Sequence, residues 1–261
     1  QAAPGATELA RLGELLAQAK RPIAILGGSG WTKEACAQFR AFAEAFDLPV
    51  AASFRRTMLF DAEHANYAGE LSLGANPALV KRVQTADLVL LIGGRLAEVP
   101  SQAYTLLDVP VPRQRLVHVR ADPAELGRVY QATLAINATP QGFCDTLSTL
   151  ASPKTIPWSA ETKAARADYL AFSGLDAPVP GDVQLNTIML WLRQRLPADA
   201  IVTNGAGNYT TWLGRYLRIR QFDGLLAPVS GSMGYGLPAA VAAKRLHPER
   251  MVVSFAGDGC F

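Results

Sequence analysis

The sequence predicts an α/β protein of two doubly wound, mainly parallel-sheet domains, the second truncated. Three observations predict it. Short continuous apolar runs recur and end in glycines, the mark of strands covered on both faces. Segments with apolar residues at three- and four-residue spacing separate them, as helices do in parallel-sheet units. The rhythm breaks once, across a proline-rich stretch, and then restarts.

In chain order, Thr7 is placed to cap a helix carrying Leu9, Leu12, Leu16 and Ala19. Residues 22–26 form a strand that ends at Gly27, Gly28, Ser29 and Gly30. A second helix lines up Cys36, Phe39, Phe42, Ala43 and Phe46, and residues 48–52 read as the next strand. Residues 76–86 are helical. Strands follow at 87–92, again ending in glycines, at 115–120 and at 133–137. Pro153, Pro157, Pro178, Pro180 and Gly181 bracket one helix from 159 to 172, which reads as an interdomain linker. Beyond it, Asp182 is placed to cap a helix with Leu185, Ile188, Met189, Leu192 and Leu196. A strand at 200–203, helices at 209–216 and 231–246 and a buried strand at 251–256 complete the pattern. The division is 1–152, a linker 153–181, and 182–261.

A chain of 261 residues with 49% apolar content has the length for about two packed domains. Charged residues are 18%, a low share that leaves room for a subunit interface. A net charge of +3 without a basic run argues against a nucleic-acid partner. Cys36, Cys144 and Cys260 are widely spaced, which suits a reduced, cytoplasmic protein rather than a disulfide scaffold or a metal cage. No apolar stretch reaches the length of a membrane span. The first residues lack the pattern of a signal peptide, and both ends look cut.

Three glycine motifs carry the chemistry. In the last, Gly257-Asp258-Gly259-Cys260 follows an apolar strand. Glycines let a backbone approach phosphate, and one carboxylate beside phosphate oxygens suits Mg²⁺. A plain Gly-Asp-Gly turn is the other reading. Ser230-Gly231-Ser232-Met233-Gly234-Tyr235-Gly236 opens an Ala-rich helix, fitting either a ligand held near the backbone or tight helix–sheet packing. Gly205-Ala206-Gly207-Asn208-Tyr209 is a third phosphate-competent loop, common by itself.

Their order and spacing, with Asp258 standing 25 residues after Met233, resemble the diphosphate-binding domain of thiamine-diphosphate enzymes, in particular the acetolactate synthase-like group. His118-Val-Arg-Ala-Asp-Pro-Ala-Glu-Leu-Gly127 is similar to a segment of that family's Rossmann-like central domain. The resemblance implies decarboxylation and/or carboligation of a 2-oxo acid by a homodimer or homotetramer. It implies thiamine diphosphate held by Gly207, Asn208, Tyr209, Gly231, Ser232, Met233, Gly257, Asp258, Gly259 and Cys260. Asp258 would be the Mg²⁺ ligand and Met233 the wedge that bends the cofactor. Cys260 stands where the family commonly has Ser, and a thiol is the weaker donor. The family's activating Glu lies in a domain this chain lacks, so the catalytic set is unknown and the chain alone is expected to be inactive.

Some relatives hold FAD in the central domain. Gly27–Gly30 lacks the GxGxxG spacing, and Leu96-Ala-Glu-Val99 departs from the FAD-binding pattern, so FAD is possible but not favoured. A bare adenine-nucleotide module or a structural dimer core is the alternative to an enzyme. His64, His118 and His247 read as surface or core residues and Arg55-Arg56 as a surface pair. Trp212, Tyr216 and Phe222 with Arg215, Arg218 and Arg220 read as a solvated helix face.

Overall fold

The computed structural model describes residues 2–261. Its larger sheet has six strands: β1 (Pro22–Leu26), β2 (Val50–Ser53), β3 (Tyr67–Leu71), β4 (Leu88–Ile92), β5 (Arg115–Arg120) and β6 (Leu134–Asn137). They run in the order β3-β2-β1-β4-β5-β6, every pair parallel, with Leu26 opposite both Ala52 and Ile92. The direction of strand addition reverses between β1 and β4, the switch point where such sheets open a crevice. β1 and β4 are buried along their whole length, as their uninterrupted apolar composition requires.

Helices α1 (Ala6–Ala17), α2 (Lys33–Ala45), α3 (Pro77–Thr85), α4 (Pro140–Cys144) and α5 (Ser159–Gly174) surround this sheet. In α1 the expected cap is corrected. Thr7 lies inside the first turn, and the Gly5 N–H donates to Glu8 Oε2 at 2.7 Å, so the acidic side chain reaches back instead. α2 begins as a cap should: Thr32 Oγ1 accepts from the Ala35 N–H at 3.0 Å. Phe39, Phe42, Ala43 and Phe46 are buried, and Cys36 is partly so.

Strand β3 and helix α4 have no counterpart among the sequence expectations. In Tyr67-Ala-Gly-Glu-Leu71 a glycine and a glutamate hide the apolar pattern, and only pairing with β2 makes the segment a strand. Helix α5, in the proline-bracketed stretch, docks on the sheet. Trp158 Nε1 donates to the Phe46 and Asp47 carbonyls at 2.9 and 3.0 Å, and Tyr169 meets Tyr67 edge-on at 4.9 Å. Arg82 on α3 pairs with Glu161 and Asp168 of α5 at 2.6 and 2.9 Å.

The second sheet has three parallel strands in the order β8-β7-β9: β7 (Ile201–Asn204), β8 (Leu225–Leu226) and β9 (Val252–Phe255). Around it lie α6 (Leu185–Arg195), α7 (Thr210–Tyr216) and α8 (Gly236–Leu246). Three expectations are corrected here. Asp182 stands outside α6, whose cap position is Gln184. α8 starts at Gly236 rather than Gly231, because positive φ at Gly231 and Gly234 keeps that stretch a loop. β9 is half exposed rather than buried.

The two sheets meet through a polar seam. Glu63 is clasped by Arg218 at 2.7 Å, by Arg166 at 3.7 Å and by Arg220 at 3.8 Å. Arg215 donates to the Phe172 carbonyl at 3.0 Å and stacks on the Phe172 ring at 4.1 Å. The arginines and aromatics expected on a solvated face therefore join the two halves. Arg55, expected at the surface, is buried and donates to the Pro228 carbonyl.

Candidate functional site

All three glycine motifs gather at the C-terminal ends of β7 and β9, where ligands of parallel sheets bind. Small residues and cross-links explain the convergence. Thr203 Oγ1 on β7 bonds the Gly236 carbonyl and Ser254 Oγ, both at 2.9 Å, which fixes α8 and β9 to the central strand. Gly236 lies directly over that strand: a Cβ there would stand 2.8 Å from the Asn204 carbonyl carbon. The Tyr209 hydroxyl accepts from the Gly205 N–H at 3.0 Å and donates to the Phe255 carbonyl at 3.1 Å. One side chain thus ties the loop after β7 to the end of β9. Burial is the first cause that raises the Tyr209 phenol above its ordinary range, which keeps it a donor.

The Cys260 thiol is buried and donates to the Ala206 carbonyl at 2.9 Å. It faces the protein, and it fills the space that a Cβ on Gly205 would enter, 2.7 Å from Sγ. Met233 is 62% exposed, yet its Cε lies 2.9 Å from where a Gly259 Cβ would be. The second loop therefore touches the third. Ser232 bonds Ser230 at 2.9 Å between hydroxyls, and Gly207, Asn208, Gly231, Asp258 and Gly259 are open to solvent. Among the described residues no cluster of three His, Cys, Asp or Glu side chains stands ready to bind a metal. Asp258 is the carboxylate that these loops present.

Behind the loops lies a cavity of about 40 Å³ between the sheets, room for two or three waters. Glu70 of β3 enters it. Its Oε1 accepts from the Arg55 N–H at 2.5 Å, and a Cβ on Gly214 of α7 would sit 2.7 Å from Oε2. Burial pushes the Glu70 carboxyl up to about 7, and the Arg55 N–H opposes this in part. Sequence reasoning missed Glu70 and read Arg55 as one of a surface pair. The available signal was a glutamate inside an otherwise apolar run. A second cavity, of about 390 Å³, opens at the switch point of the large sheet beside Gly28, Ser29, Gly94, Arg95 and Arg120.

The thiamine pyrophosphate enzyme central domain matches residues 9–150, more than half of the chain, and the C-terminal TPP binding domain matches residues 205–261. The chain belongs to the thiamine pyrophosphate enzyme family. It is 27% identical to a sulfoacetaldehyde acetyltransferase of Alcaligenes xylosoxydans xylosoxydans, over 95% of this chain and 46% of that protein. An acetolactate synthase large subunit of Parasynechococcus marenigrum is 29% identical, over 94% of this chain and 39% of its own length. The acetolactate synthase isozyme 2 large subunit of Escherichia coli is 27% identical, over 97% and 45%. The chain spans less than half the length of these relatives. As a thiamine pyrophosphate enzyme it places its matched central domain on the six-stranded sheet and its matched cofactor domain on the three-stranded one. Among the described residues no helix is long and apolar enough to cross a membrane.

Proposed function

We propose that the whole protein decarboxylates a 2-oxo acid, joins the product to an acceptor, or does both, using thiamine diphosphate and Mg²⁺. The observation that carries this reading is the meeting of three glycine loops at the strand ends. A diphosphate needs backbone free of side chains, and nothing lies within 4 Å of a Cβ built on Gly231 or Gly234. Mg²⁺ bound by phosphates asks the protein for few carboxylates, and Asp258 is exposed at this point. The residues thus fit the group.

In this reading Asp258 holds the metal, and the backbones of Gly257, Gly259 and Cys260 line the diphosphate. Gly207, Asn208 and Tyr209 approach it from the loop after β7, and Ser232 from the second loop. The Gly231 carbonyl would accept from the cofactor's amino group, and Met233 would be the apolar wedge packed against the cofactor. When bound, thiamine diphosphate supplies the carbon nucleophile and electron sink that 2-oxo acid chemistry needs. The protein's own share is to fix the loops through Tyr209 and Thr203 and to keep the Cys260 thiol turned inward. The domains are taken as 1–152, 153–181 and 182–261, the protein as a cytoplasmic homodimer or homotetramer, and the 261 residues alone as inactive. FAD at the switch-point crevice is not favoured, since Gly28 is packed against Gly93 there.

Titration of the full-length protein with thiamine diphosphate, with and without Mg²⁺, tests this. Magnesium-dependent binding should weaken at least 100-fold in Asp258→Ala. Equal binding by both proteins, or none by either, makes Gly-Asp-Gly a turn and removes the proposal.

A further inference from the structure

The loop that carries Gly231 and Met233 is thinly held by its own domain. It runs from β8, which is two residues long, to the start of α8 at Gly236. Residues 229–235 are exposed, and nothing lies within 4 Å of a Cβ on Gly231 or Gly234. Pro228, by contrast, is buried. Its carbonyl accepts from the Gly231 N–H at 3.1 Å, which closes the turn at the head of the loop. The orientation of that one carbonyl therefore sets the direction in which the chain leaves toward Met233.

The same oxygen is held from the central domain. Arg55 Nη1 donates to it, and Arg55 is 6% exposed. A guanidinium bond to a carbonyl is charge-assisted, stronger than the neutral bond from the Gly231 N–H.

Arg55 follows β2 and reaches across the seam from an unusual backbone. Its φ is +56°, in the left-handed region that a bulky residue rarely adopts, so the conformation needs a cause. Glu70 on the neighbouring β3 supplies one: its Oε1 accepts from the Arg55 N–H at 2.5 Å. The guanidinium also lies over the Phe54 ring, 4.8 Å from its centre. Burial lowers the Arg55 guanidinium from its ordinary range, and Glu70, Tyr209 and Cys260 oppose this. Residues of the first and third glycine loops thus stand within its electrostatic reach.

We propose that Arg55 is a positioning residue for the cofactor. From the central domain it holds the Pro228 carbonyl, and through it the loop with Gly231 and Met233, in the form that receives thiamine diphosphate. Glu70 sets Arg55 in turn. This rests on the cofactor reading for what the loop holds, but not for how the loop is held.

The test compares the full-length protein with Arg55→Met, which cannot donate, and Arg55→Lys, which keeps a charge and a donor. Two quantities are read: amide hydrogen exchange of residues 229–235 without cofactor, and affinity for thiamine diphosphate with Mg²⁺. In Arg55→Met the loop amides should exchange about tenfold faster or more, with those of β1 and β4 unchanged, and affinity should fall by a similar factor. Arg55→Lys should recover part of both. Should Arg55→Met unfold, Arg55→Gln, polar but too short to reach Pro228, replaces it with the same expectations. Loop exchange equal to the parent's overturns the proposal, as does faster exchange with unchanged affinity. Faster exchange in β1 and β4 as well, or a lysine variant no better than methionine, also overturns it. A parent that binds no thiamine diphosphate removes the cofactor reading, and the exchange readout then decides by itself whether Arg55 holds the loop.

Discussion

The glycines at the ends of the two sheets look alike in sequence and do opposite things. Gly28 and Gly93 follow β1 and β4, and both have positive φ. A Cβ on Gly28 would overlap the Gly93 carbonyl oxygen, and one on Gly93 would lie 2.6 Å from the Gly27 carbonyl oxygen. These glycines let backbone pack on backbone. Gly231 and Gly234 also have positive φ, yet nothing lies within 4 Å of a Cβ on either. Here the absent side chain leaves open space. The sheets differ in the same sense: β1 and β4 are buried at every position, whereas β9, of similar apolar composition, is half exposed. A glycine loop is thus a packing device where elements close on both sides and a cradle where they do not.

The largest expected effect breaks this comparison directly. Gly28→Ala forces backbone apart and should destabilise the central domain by about 3 kcal/mol or more, since strain and overpacking add. Gly234→Ala should cost about 1 kcal/mol, the left-handed penalty alone. Urea unfolding monitored by circular dichroism compares them; equal losses would erase the distinction. Next in size, Leu90→Ala in β4 should lose about 2–5 kcal/mol, and Val253→Ala in β9 less than about 1 kcal/mol. A large loss at Val253 would mean that β9 is better covered than its exposure indicates.

An effect that depends on pH concerns the seam between the regions. The Glu70 carboxyl is raised to about 7 by burial, from an ordinary value of about 4.5, so the folded state holds a proton that the unfolded state gives up between those values. Stability from this group is full below about pH 4.5 and is lost as pH rises through 7. Glu70→Gln keeps an acceptor for the Arg55 N–H and removes the titration. The variant should be more stable than the parent at pH 8, by about 1–3 kcal/mol, and nearly equal at pH 4.5. Thermal melts across that range check it, and a parallel slope in both proteins would refute the assignment.

Much of this protein was legible from residue order. Short continuous apolar runs bounded by glycines favour strands covered on both faces, so β1 and β4 were placed within a residue of their bounds. The first and third glycine motifs announced their loops, because a positive φ or a close backbone approach leaves few residues to choose from, whereas the second was read as the start of a helix and is a loop as far as Tyr235. Local chemistry was less decisive. Thr7 and Asp182 had the right composition for caps, but Glu8 reached back to Gly5 first, and Asp182 fell outside its helix. Tertiary structure alone decided the rest. β3 exists because β2 and α5 flank it. Arg218 and Arg55 are internal because a second sheet lies against the first. The Cys260 thiol turns inward because Gly205 leaves it room. Residue order specifies which local conformations are cheap; which side chains meet depends on contacts between residues far apart in the chain, and no local pattern encodes those.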